Sequence, residues 1–207
     1  MYTPPAFIVA DRTELHEMIR QCHLANFITA TARGPMATPL PMFLDESEGD
    51  IGVLYAHLAR PNPQWQAEVI GDGLAVFMGP DAYVTPSWYA TKAEHGKVVP
   101  TWNYTAIHAS GPVEFFDDAD RLHEVVSRLT NIHESSRKAP WAVTDAPEIY
   151  IKAQMRGIVG IRMPIVNLQG KRKMSQNRPE EDRKGVKRGI EERGERHDIA
   201  VATMVPT

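Results

Sequence analysis

Short apolar runs alternate with polar positions through the first half of the chain, and three- or four-residue hydrophobic spacing is confined to a few places. Residues 26–31, 36–44, 51–56 and 74–78 are each rich in apolar or β-branched side chains and are separated by glycine, proline or acidic turns, which predicts half-buried strands of an antiparallel sheet. Pro39 and Pro41 each remove a ladder donor, so their strand belongs at an edge or a bulge, with backbone able to face a ligand. Further strands are predicted over 103–116 and 157–167. Helical spacing appears at Leu15, Met18, Ile19 and Cys22 behind a Thr13 cap, and again at Leu122, Val125, Val126, Leu129 and Ile132 behind an acidic start. A short helix is predicted over 148–155. Residues 80–101 form a long aromatic-bearing connection of the kind that is functional or poorly ordered.

These elements predict a mainly β protein with peripheral helices, a β-barrel occupying residues 1–170, followed by a polar, charged extension over 171–207. The βαβ alternation of a nucleotide-binding sheet is missing, and neither GxGxxG nor GxxxxGK[ST] occurs, which argues against Rossmann and P-loop enzymes.

With 207 residues, 43% of them hydrophobic, the chain can bury a substantial core. No apolar run approaches the roughly 20 residues of a bilayer span and the N-terminus lacks a signal-like pattern, so a cytoplasmic protein without membrane contact is expected. The single cysteine, Cys22, excludes an internal disulfide and a thiolate metal cage. The net charge of −3 is unevenly spread: residues 1–170 hold 13 Lys/Arg against 19 Asp/Glu, whereas 171–196 hold 10 against 6. Only that C-terminal stretch could attract a polyanion such as DNA.

Candidate chemistry concentrates where the apolar run Leu54-Tyr55-Ala56-His57-Leu58-Ala59 meets Arg60-Pro61-Asn62. A guanidinium can give two parallel hydrogen bonds to phosphate oxygens, and a turn of small residues can leave N–H groups available beside it. The same phrase also suits an ordinary solvated turn. The eight histidines include no HExxH and no close His/Cys cluster, so no metal site is expected, and Ser/His/Asp catalysis finds no nucleophile elbow. Trp88-Tyr89 and Trp102-Asn103-Tyr104 flank a loop carrying Lys92, His95 and Lys97, which suits either a planar cofactor gripped by rings and amides or an aromatic subunit interface. The phrase KRKMSQNRPEEDRKGV reads as a nucleic-acid patch or, given Glu180, Glu181 and Asp182, as a solvated helix with internal ion pairs.

In this order, MYTPPAF, ATPLPMFL, LYAHLARPNPQW, SWYATKAEHGKVVPTWNYTAIHASG and KRKMSQNRPEEDRKGV resemble the PaiB family of FMN-binding transcriptional regulators, over residues 1 to about 186. The resemblance implies a split β-barrel like that of the pyridoxamine-phosphate oxidase and flavin reductase group, assembled as a homodimer with flavin sites between subunits. It implies FMN as cofactor, with its phosphate at LYAHLARPN: Arg60 foremost, Asn62 and the backbone of Leu58 and Ala59 assisting, and His57 close by. Pro39, Leu40 and Pro41 would follow the ring edge; apart from the resemblance, the aromatic and amide phrase puts Trp102 and Asn103 at the planar cofactor, and the SQNR phrase is expected to fold back with Lys173 and Asn177 near the ligand. The chain departs from the oxidase pattern, because Ala59-Arg60-Pro61-Asn62 replaces a doubly basic phosphate turn and ATPLPMFL lacks the expected basic residue. That departure implies a weaker phosphate grip or another ligand.

The implied function is negative regulation of transcription by a flavin-binding homodimer. Two alternatives stand beside it: a flavin-dependent oxidoreductase of unknown substrate, and a direct DNA-binding repressor acting through the C-terminal stretch. No helix-turn-helix is apparent, since the two best predicted helices lie about ninety residues apart rather than across a tight turn.

Overall fold

The computed structural model describes residues 1–207. In chain order the elements are β1 Ile8–Val9, α1 Arg12–Gln21, β2 Ala25–Thr31, β3 Gly34–Leu40, β4 Phe43–Asp45, β5 Val53–Ala59, β6 Gly73–Val84, α2 Thr91–His95, β7 Thr101–Gly111, β8 Glu114–Phe116, α3 Ala119–Glu134, α4 Glu148–Met155, β9 Ile158–Pro164, β10 Asn167–Lys173, α5 Glu180–Arg193 and α6 Asp198–Met204. Two units result. The first comprises Met1–Met18, Met78–Ile107 and Gln169–Thr207, and the second Ile19–Phe77 and His108–Leu168. No helix is long and apolar enough to cross a membrane.

In the second unit β2 pairs antiparallel with β6 (Ala25↔Phe77 to Ile28↔Leu74) and with β3 (Ala25↔Leu40 to Thr31↔Gly34). Strand β3 ends the sheet, the edge position that its prolines require because they cannot donate to a further neighbour. A four-stranded sheet, β4-β5-β9-β8, is antiparallel throughout. Gly160 faces Phe116 across it, and a Cβ at Gly160 would collide with the Phe116 ring. Helix α3 begins at Asp118, whose carboxylate accepts from Arg121 N–H at 2.9 Å, and it buries Leu122, Val125 and Leu129 together with Phe43, Phe116 and Met155. These helical positions are the ones whose spacing is apparent in the sequence.

In the first unit the strand order is β1-β10-β7-β6, with Ile8↔Lys171 and Val9↔Gly170 joining its outer pair. Ala82, Val84, Tyr89 and Met174 pack with Val186, Ile190, Val201, Ala202 and Val205. Residues 171–207, expected as a polar extension, thus complete a hydrophobic core through the end of β10 and helices α5 and α6. Helix α5 is also not the fully solvated helix its charges suggest. Val186, Ile190 and Asp182 are fully buried, and Asp182 accepts from Thr91 N–H at 3.0 Å and Thr91 Oγ–H at 2.8 Å. Gly185 and Gly189 admit Trp88, since a Cβ at either would strike its main chain or its ring.

The strand expected over 36–44 is β3 and β4, in different sheets, with Pro41 in the connection between them, and other predicted boundaries shift as well. Strand β6 continues to Val84, so the long connection starts later and contains α2. The strand expected over 103–116 is β7 and β8, interrupted at Pro112, and that over 157–167 gives way to β10 after a turn at Ile165–Val166.

Candidate functional site

In the second unit, β5 delivers Arg60 into a turn whose donors are already engaged. Arg60 Nε–H donates to Arg156 O at 2.8 Å and Nη2–H to Ile158 O at 3.1 Å, and its Nη1 stands 3.5 Å from Asp117 Oδ2. The guanidinium carbon lies 5.7 Å from the Trp65 ring centre, and Trp65 Nε1–H donates to Arg60 O at 2.8 Å. Arg60 N–H donates to Gly157 O and Asn62 N–H to Ala59 O, so the turn does not keep these main-chain donors available as the sequence led us to expect. The carbonyls of Gly157, just ahead of β9, and of Ala59, at the end of β5, outcompete solvent for them.

Asn62 is engaged as well. Its Oδ1 accepts from Gln64 N–H at 2.9 Å, capping the 3-10 turn Pro63–Gln66, and its Nδ2–H donates to Thr38 Oγ1 at 3.0 Å. Fully buried Gln64 accepts from Thr38 Oγ–H at 2.6 Å and donates to Thr29 Oγ1 at 3.1 Å, which ties this turn to the β2–β3 hairpin. Leu58 and Leu40 are buried, Ala59 and Pro39 exposed, and Pro41 half-buried. His57 Nδ1 is buried without a partner, and burial holds the imidazole below its usual pKa, favouring the neutral ring. Arg60 also lines a groove of about 690 Å³ with Asp117, Asp120, His123, Lys152 and Arg156, where three cations and two carboxylates stand together.

Three other arginines of this unit sit on carboxylates. Arg162 pairs with Glu48, which also accepts from Tyr55 Oη–H at 2.5 Å; Arg121 meets Glu114 at 2.7 Å and Arg128 meets Asp45 at 2.5 Å. The Ser47 hydroxyl and then Arg128 bring the Asp45 carboxyl down to about 2. The Tyr55 hydroxyl and Arg162 lower Glu48 in the same way.

The first unit differs. Trp102 and Tyr104, two apart on β7, project from one face, as do Lys171 and Lys173 on β10. Lys171 Nζ lies 5.1 Å from the Tyr104 ring centre and donates to Tyr2 O at 3.4 Å, while Lys173 Nζ donates to Trp102 O at 2.8 Å and to Thr101 Oγ1. Tyr83 meets Trp102 edge-on with ring centres 5.8 Å apart, and both stay substantially exposed, at 40% and 53%. The chain then turns at Ser175, the one non-glycine residue with positive φ (60°), and Arg178 comes to rest 4.6 Å from the Tyr89 ring centre.

The acceptors around Lys171, Lys173 and Arg178 are thus carbonyls, a hydroxyl and aromatic faces, with no paired carboxylate. Burial first, then the charges of Lys171 and Arg178, push the Lys173 ammonium below its ordinary pKa.

Of the residues anticipated in this unit, Trp102 and Lys173 come together. Asn103 does not join them: the alternation of β7 turns it to the opposite, buried side, where its Oδ1 accepts from Ser175 Oγ–H at 3.0 Å and its Nδ2 has no partner. Asn177 stays exposed in the turn before Arg178. Tyr83 escaped sequence reasoning, and Tyr104, Lys171 and Arg178 entered it only within the phrases Trp102-Asn103-Tyr104 and KRKMSQNRPEEDRKGV. Only the phrase Lys171-Arg172-Lys173, with alternate residues on one strand face, carried a signal for part of the group.

Residues 1–167 match the family described as "Putative FMN-binding domain". The chain is 31% identical to the protease synthase and sporulation protein PAI 2 of Bacillus subtilis, over 88% of this chain and 85% of that protein. Among solved structures, the FAD and heme binding protein from Mycobacterium smegmatis is similar with a TM-score of 0.58 and 16% identity, covering 80% of this chain and 73% of that one. The flavocytochrome Anf3 from Azotobacter vinelandii gives 0.57 and 15%, covering 80% and 68%. At these identities the likeness shows the fold, which is the split β-barrel expected from the sequence.

Proposed function

The chain belongs to the PaiB family of FMN-binding domain proteins, and from that premise we propose that it is a homodimeric regulatory protein that uses FMN as its ligand. The observation that carries this reading is the face on which Trp102, Tyr104 and Tyr83 stand beside Lys171 and Lys173. Exposed rings suit a planar heterocycle and uncompensated ammonium groups suit an anionic tail; FMN combines the two. Bound flavin supplies the redox chemistry, while the chain's own residues bind and orient it. The Bacillus relative, named for protease synthesis and sporulation, supports a regulatory role.

The test is an absorption spectrum of freshly purified protein, followed by titration of the apoprotein with FMN. Flavin bands near ~375 and ~450 nm, saturable binding and no sustained oxidation of reduced nicotinamide are expected. Steady nicotinamide-dependent turnover would replace the regulator with an oxidoreductase. Light scattering should give twice the 23.2 kDa chain mass, and a monomer at micromolar concentration would remove the homodimer.

A further inference from the structure

We infer that the phosphate of the flavin is received by Lys171, Lys173 and Arg178 of the first unit and not by Arg60 of the second. The inference rests on the flavin-binding reading above and goes beyond it by assigning the charged end of the ligand.

A phosphate dianion needs positive charge that is not already neutralised and donors that are not already engaged. Arg60 is the less available cation: Nε–H and one Nη2–H serve main-chain carbonyls and Nη1 stands 3.5 Å from Asp117, so two of its five N–H groups remain, in a groove where Asp117 and Asp120 stand among Lys152 and Arg156. In the first unit, Lys171 and Lys173 project from one face of β10 with carbonyls, a hydroxyl and a ring as their acceptors, and the charge of Arg178, which lies on the Tyr89 ring, reaches Lys173. An ammonium has three donors, and Lys173 directs two of them at Trp102 O and Thr101 Oγ1, leaving one for an anion. Like charges held together are costly without a counter-charge, and burial of Lys171 at 8% exposure sharpens that cost. A bound dianion would turn this mutual repulsion into attraction. Residues Tyr83, Trp102 and Tyr104 supply ring faces beside the cations, which gives the aromatic part of the same ligand a place to lie. The neighbouring cation Arg172 is excluded from the group because it pairs with Glu14.

The test compares FMN with riboflavin, which differ only by the phosphate, on the full-length apoprotein of wild type, Lys173→Met, Lys173→Arg and Arg60→Met, read by quenching of flavin fluorescence. Lys173→Met should weaken FMN by about 10–100-fold, the scale of a lost charge-assisted contact, and leave riboflavin unchanged. Lys173→Arg should recover most of the loss. Arg60→Met should affect the two flavins equally. The inference is overturned if Lys173→Met leaves the FMN-to-riboflavin ratio as in wild type, or if Arg60→Met alone lowers that ratio. Should wild type bind neither flavin, the reading of the previous section fails by itself, and the anion site is then judged with inorganic phosphate. A phosphate-dependent rise in melting temperature that Lys173→Met abolishes supports the site; no rise overturns it.

Discussion

Two groups of cations, one in each unit, handle positive charge in opposite ways, while Arg172, Lys184 and Arg193 of the first unit pair with carboxylates as the second unit's group does. In the second, Arg121, Arg128 and Arg162 each sit on a carboxylate, and Arg60 is absorbed by main-chain carbonyls. In the first, Lys171, Lys173 and Arg178 rest on rings, a hydroxyl and carbonyls, so their charge is solvated by the protein without being neutralised. A neutralised cation contributes to the folded chain alone. A cation without its counter-charge contributes fully only when something else brings that charge. The difference separates residues that hold the structure together from residues available to a ligand, and residue type alone does not draw that line, since arginine occurs in both groups.

The contrast can be broken most forcefully at Arg60. Arg60→Met strips hydrogen bonds from Arg156 O and Ile158 O and removes the contact with Trp65, and it should lower unfolding free energy by about 2 kcal/mol in urea titrations. An unchanged midpoint would show that Arg60 does not serve the fold.

A smaller effect is expected at Asp45. Its carboxyl is depressed from 3.8 to about 2 when folded, so its contribution is fully present above 3.8 and is lost as the pH falls through about 2. Arg128→Met should remove about 1 kcal/mol at neutral pH and flatten part of the decline between those values, with the remainder left to the Ser47 hydroxyl. Acid titration followed by circular dichroism measures both.

The smallest effect has the opposite sign. Lys173 is held below its ordinary pKa, so the unfolded chain binds more protons than the folded one, and unliganded stability should rise as the pH climbs through the depressed value toward 10.5. Lys173→Met should abolish that rise and, at neutral pH without ligand, stabilise the protein by about 0.5 kcal/mol. Destabilisation comparable to that of Arg60→Met would erase the distinction between the two groups.

What the sequence reveals follows the range of the interactions involved. Helix α3 is legible because Leu122, Val125 and Leu129 lie within one helix, and β3 is legible as an edge because Pro39 acts on its own backbone. Helix α5 is misleading as a segment: its two deeply buried aliphatic residues, Val186 and Ile190, are too few to mark a stripe, and Gly185 and Gly189 look like interruptions until Trp88 is set against them. Buried Asp182 looks solvated until Thr91 is beside it. The candidate site follows the same rule. Arg60 carries the right chemistry on paper, but its partners Arg156 and Ile158 stand 96 and 98 residues away in the chain, and no local pattern announces that they consume its donors. Tyr104 and Lys171 become neighbours through strand pairing, which a single sequence does not display.

The pairing of β1 with β10 has a consequence for the order in which the protein can be made. Residues 8 and 9 find their partners at 171 and 170, and the first unit draws on the beginning, middle and end of the chain, whereas the second is complete by Leu168. On a ribosome adding about 5–20 residues per second, the second unit has all of its residues before α5 and α6 have been synthesised. The opening segment, Tyr83 and Trp102 must meanwhile wait for the last stretch to emerge. The ligand-facing cations are therefore among the last parts of the molecule to be assembled, so a nascent chain stalled at Leu168 would carry a second unit with all its residues and no place for the anion.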